Sequence, residues 1–103
     1  MAYDIVATQL AAEDLDNILQ YISIDLNNPT AASSFADSLE KCYQNLSNMP
    51  YMYPECDNMR LRMMKYRKVV INHYVMIYRV NEHSQTIYIM RFFYGGQDYE
   101  RLL

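Results

Sequence analysis

Tryptophan is absent from this 103-residue chain, and cysteine, glycine and proline together supply only seven positions. Two cysteines, Cys42 and Cys56, are too few for a disulfide framework. Neither belongs to a CxxC pair or a Cys/His ligand set, which excludes the common zinc and thiol-redox patterns. They read as plain thiols in a reducing cytoplasm, Cys42 on a helix and Cys56 in a loop. No apolar run approaches the length that spans a bilayer. The opening MAYDIVATQL lacks the basic and apolar regions of a signal peptide. No internal repeat, linker or low-complexity segment interrupts the chain. The length suits one domain over residues 1–103, able to bury a core without staples.

Positive charge is scarce in the first part of the chain. Residues 1–59 hold nine acids and one base, Lys41, a net of -8. Residues 60–103 hold eight bases and three acids, a net of +5. The stretch RLRMMKYRK (60–68) alone carries Arg60, Arg62, Lys65, Arg67 and Lys68. Such asymmetry suggests an anionic partner for the basic part. Mutual neutralisation of the two parts, or an ordinary solvated face, explains it equally well.

What is abundant is tyrosine, with 11 residues, and methionine, with 8. Met49, Met52, Met59, Met63 and Met64 gather before the last strands. Core filling accounts for part of this, and an adaptable protein-binding surface for the rest.

Periodicity divides the chain in two. Residues 3–7 (YDIVA) read as a strand, after which Thr8 caps a helix. Leu15, Ile18, Leu19, Ile22 and Leu26 give that helix one apolar face. Its acids Glu13, Asp14 and Asp16 read as a solvated face favoured by the helix dipole. Asn27-Asn28-Pro29 breaks it, and Asn28 with Pro29 starts a second helix reaching Asn48. Phe35, Leu39, Cys42 and Leu46 form its buried stripe. After the loop MPYMYPECDN the period becomes two. RKVVI, YVMIYRV and TIYIMRFFY predict three strands linked by Asn72-His73 and a loop at 81–85. Gly95-Gly96 ends the last strand, and QDYERLL predicts one helical turn. The expectation is an α+β fold in β-α-α-β-β-β order: an antiparallel helical hairpin on one face of an antiparallel sheet, the other face open.

Alternation puts Val75, Ile77 and Arg79 on one face of their strand. It puts Ile87, Ile89, Arg91 and Phe93 on one face of the next. If the two faces coincide, Lys68, Arg79 and Arg91 form a cationic cluster near tyrosines, suited to phosphates and unpaired bases. Metal-free RNA cleavage also needs proton carriers. His73 and His83 read as exposed turn residues. Tyr94 and Tyr99, beside the Gly-Gly turn, are better placed.

YRKVVINHYVMIYRV (66–80) followed by TIYIMRFFYGGQDYERLL (86–103) resembles the RelE/ParE family of bacterial type II toxin–antitoxin toxins. AAEDLDNILQYI (11–22) and the proline-containing helix joint fit as well, so the resemblance covers nearly the whole chain. It implies a small cytoplasmic toxin of a plasmid-stabilization type of module, neutralised by a cognate antitoxin protein. Neither cofactor, metal nor membrane is implied. RelE-like members cleave mRNA in the ribosomal A site, and ParE-like members poison DNA gyrase. The resemblance therefore implies an mRNA interferase as the first expectation, with ribosome and mRNA as partners. A gyrase poison, or an inactive antitoxin-binding module, is the alternative. The implied catalytic set is Lys68, Arg79, Arg91 and Tyr94, the last standing where many members have His. Val75 stands where RelE-like members carry a catalytic Arg, and Gln97 where the G-x-R-D ending would supply one.

Overall fold

The computed structural model describes residues 2–103. The order is β1 (Asp4–Ala7), α1 (Gln9–Gln20), α2 (Pro29–Asn48), α3 (Met59–Met63), β2 (Arg67–Ile71), β3 (Tyr74–Asn81) and β4 (Thr86–Tyr94). This is the expected α+β arrangement, with α3 added.

Local chemistry sets the helix boundaries. The Thr8 hydroxyl accepts from the Ala11 amide and donates to the Met90 carbonyl, fixing the start of α1 to β4. The Asn28 side chain accepts from the Ala31 amide, with Pro29 opening α2. Between the helices, α1 continues as a π-helical turn, Tyr21–Asp25. Asn27, at φ 49°, then reverses the chain, a left-handed conformation that Asn tolerates. The stripe read from the sequence is the one buried: Phe35, Leu39, Cys42 and Leu46. Both cysteines are free thiols in buried positions.

The sheet corrects the expectation of an antiparallel one. Its order is β1-β4-β3-β2, and β1 runs parallel to β4. Tight turns force β2, β3 and β4 to alternate in direction. β1 instead reaches the sheet through the helical hairpin, a crossover long enough to permit parallel pairing.

A second correction concerns parity on β4. Ile77 pairs with Arg91, but Tyr78 pairs with Ile89. Met90 is therefore an extra residue, a β-bulge, and parity flips across it. Ile87 and Ile89 join Phe92 in the main core under the helices, while Phe93 joins the opposite face. Arg91, paired with Ile77, goes with Phe93.

That opposite face is the third correction, since it is not open. A smaller core covers it, made of Cys56, Leu61, Tyr66, Val75, Ile77 and Phe93, with Met90, Tyr99 and Leu103 against it. Leu61 comes from α3, capped by Asn58. Tyr99 comes from the expected helical turn, here a 3-10 turn over Tyr99–Arg101. At the turn, the Gly95 amide donates to the His73 carbonyl at 2.8 Å. A Cβ at Gly95 would meet that oxygen at 3.0 Å, tighter than ordinary packing.

Buried Tyr78 on β3 donates its hydroxyl to the Pro50 carbonyl at 3.1 Å, and half-buried Tyr43 on α2 packs against the main core. Burial pushes the Tyr78 phenol up to about 12, and burial does the same to Tyr43. A raised phenol contributes stability that is complete below the unfolded value of about 10 and is lost as pH rises through the folded value. The expected outcome is unfolding between about pH 10 and about pH 12, with late phenolate absorbance appearing in step with lost ellipticity. Ionisation of every tyrosine near pH 10 with ellipticity intact would contradict this.

Candidate functional site

Lys68 on β2 pairs with Ile77 on β3, and Ile77 pairs with Arg91 on β4. Paired residues share a face, so Lys68 and Arg91 flank buried Ile77 in one row. Two strand spacings separate their backbones, roughly 10 Å. The row lies on the face away from the helical hairpin.

Each cation in the row is already engaged. The Lys68 ammonium donates to the Tyr99 hydroxyl at 3.5 Å and lies 3.8 Å from the exposed Asp57 carboxylate. Burial works against its charge, but Tyr99 and Asp57 outweigh that and raise its affinity for the proton. Arg91 makes a two-pronged contact to Asp14, through Nε at 2.7 Å and Nη2 at 3.1 Å. These hydrogen bonds hold its pKa above the usual arginine value. The same carboxylate accepts the Phe92 amide at 3.0 Å. Asp14 thus closes the edge of β4 beyond the end of β1, and is no solvated helix acid. Phe93, two residues along β4, packs against both Arg91 and Tyr99. Its ring centroid is 4.9 Å from the Arg91 guanidinium carbon and 5.7 Å from the stacked Tyr99 ring.

The chain after the Gly-Gly turn lies over this row. Arg60 anchors it, donating to the backbone oxygens of Glu100 at 2.6 Å and Leu103 at 2.7 Å. Arg67 is also engaged internally, donating to the Tyr53 carbonyl at 2.6 Å and packing over the Tyr51 ring. Three of the five bases in residues 60–68 therefore hold the fold's own loops and tail.

Of the four residues expected to act together, the structure aligns Lys68 and Arg91. Arg79 lies two residues beyond Ile77, over the Tyr88 ring at 5.9 Å, and lines a separate groove with Met63, Met64, Lys65 and Arg67. Tyr94 pairs with Tyr74, whose ring is in the main core, so it belongs to the helix-bearing face. There it lines a cavity of about 500 Å³ with Asp14, Asn17, Tyr21 and Gln97. Gln97 accepts the Tyr94 amide and so braces the turn. Val75 is buried in the smaller core.

The inward placement of Asp14 has a signal in the sequence: it lies three residues after buried Ala11 and four before buried Ile18, on the buried stripe of α1. Tyr99, not Tyr94, supplies the phenol beside the cations. Among the described residues no cluster of His, Cys, Asp and Glu could hold a metal ion, and no helix is long and apolar enough to cross a membrane.

Comparison with known proteins agrees with this architecture. A family model described as the ParE toxin of the type II toxin–antitoxin system parDE matches residues 5–99. Among solved structures, the RelBE2 toxin–antitoxin complex of Mycobacterium tuberculosis contains a chain with TM-score 0.65 and 18% identity. The alignment covers 91% of this chain and 99% of that one. The chromosomal ParDE system of P. aeruginosa gives TM-score 0.68 at 18% identity, covering 90% of this chain and 96% of the other. At such identity the likeness concerns the fold. No curated protein matches the sequence significantly.

Proposed function

The chain belongs to the ParE toxin family of type II toxin–antitoxin systems, and we propose that it arrests growth in the cytoplasm as a non-enzymatic poison of DNA gyrase, held in check by a cognate antitoxin. The observation that carries this reading is the commitment of the polar groups that catalysis would need. Arg91 is taken by Asp14, Lys68 by Tyr99 and Asp57, and Tyr94 belongs to the opposite face. General acid–base cleavage requires a donor and an acceptor converging on one bond. A poison that works by occupying its target requires only a surface. The antitoxin reading is supported by the two structural neighbours, both toxin–antitoxin systems.

Ribosome-dependent mRNA cleavage is the second reading. The row itself favours it, since Lys68 and Arg91 share a face and the Tyr99 phenol lies 3.5 Å from Lys68. The two readings part on Lys68→Ala and Arg91→Ala. A gyrase poison is expected to keep growth arrest in both variants and to leave mRNA intact in a reconstituted translation reaction. A ribonuclease loses arrest in both, and primer extension on the wild type shows ribosome-dependent cuts within the A-site codon. The second pattern would overturn the proposal.

A further inference from the structure

Met59 and Met63 stand one turn apart on α3 and are 74% and 77% exposed. Arg62 shares that side of the helix, while Leu61 on the opposite side is fully buried in the smaller core. Met64 and Lys65 carry the surface into a groove of about 740 Å³ whose far wall includes Arg79. Arg60, Arg67 and Lys68 hold partners within the protein, whereas the cations Arg62, Lys65 and Arg79 make no salt bridge among the described residues. Exposed thioethers and unpaired cations thus alternate over one continuous surface. Methionine is the side chain best able to mould to an apolar partner. An apolar patch of this kind marks an interaction site more often than bare surface.

The geometry points to this surface as the docking site of an acidic, amphipathic peptide segment of the antitoxin. Its apolar side chains would cover Met59, Met63 and Met64, and its carboxylates would meet Arg62, Lys65 and Arg79. The inference rests on the antitoxin reading above and adds where the antitoxin sits and what charge it carries there. A nucleic acid fits less well. Glu55 and Glu82 line the same groove and would face a strand bearing phosphate on every nucleotide. A peptide can place its carboxylates only where the cations stand. The groove's tyrosine, Tyr51, is already engaged by Arg67 and by Glu82, so it offers no free stacking platform.

The test is to co-express the toxin with the protein encoded by the adjacent gene and to measure affinity by calorimetry at low and high salt. Two surface variants are compared with the wild type, R62E/K65E and M59S/M63S, each checked for an unchanged melting temperature. Charge reversal is expected to weaken binding about tenfold or more and to flatten its salt dependence. The methionine variant is expected to weaken it about tenfold through faster dissociation. Wild-type affinity in both variants would overturn the docking site while leaving the antitoxin pairing intact. Failure of the wild-type proteins to associate would overturn both. If R62E/K65E spares the antitoxin and instead abolishes retention of a single-stranded oligoribonucleotide, the surface is a nucleic-acid site and the proposal falls.

Discussion

Asp14→Ala is expected to destabilise the protein by roughly 2–3 kcal/mol, far more than an exposed helix acid would. The carboxylate is only 16% exposed and receives three donors: Arg91 Nε, Arg91 Nη2 and the Phe92 amide. Its removal strands a guanidinium that is 24% exposed, together with a backbone N–H at the open edge of β4. Removing the other partner is milder. Arg91→Ala leaves Asp14 its Phe92 hydrogen bond and is expected to cost about 1 kcal/mol. Urea denaturation of both variants checks the order. A cost for Asp14→Ala below about 0.5 kcal/mol, typical of a surface change, would contradict this account of the β4 edge.

The larger loss is expected from Phe35→Ala, roughly 3–5 kcal/mol. Phe35 is 1% exposed and sits edge-on to Tyr74 with ring centroids 5.2 Å apart. It is the large side chain through which α2 grips the sheet. The variant loses its transfer energy and leaves a cavity that neighbouring β-sheet residues cannot collapse to fill. Against a total stability of about 5–15 kcal/mol for a domain, this approaches the whole margin. Thermal denaturation followed by circular dichroism should show a melting temperature lowered by roughly 15 °C or more. A shift under about 5 °C would mean that the hairpin is held to the sheet elsewhere.

The helical hairpin is legible in the amino-acid sequence because its signals are local. Thr8, Asn28 and Pro29 act within one turn of themselves, and the Phe35-Leu39-Cys42-Leu46 stripe is set by helical period alone. The candidate site is less legible because it depends on register. A single extra residue, Met90, inverts the parity of β4, and no local pattern announces it. Alternation alone puts Arg91 with Ile87 and Ile89, whereas it faces the other way with Phe93. The direction of β1 is likewise a long-range choice, made where it docks on β4. The charge of residues 60–68 misleads for a different reason. Alternating bases hide Leu61, the residue that seats α3 over the second face, and three of those bases bind backbone or side chains within the protein. What is left unpaired there, Arg62 and Lys65, lies beside the exposed methionines and not in the Lys68–Arg91 row.

Gyrase poisoning is checked by incubating the purified protein with DNA gyrase, ATP and relaxed plasmid, and following supercoiling and trapped DNA breaks on a gel. Blocked supercoiling and accumulated gyrase–DNA cleavage complexes are expected, unchanged by Lys68→Ala and Arg91→Ala and relieved by the cognate antitoxin. Supercoiling at the uninhibited rate, with no cleaved DNA, would contradict gyrase poisoning.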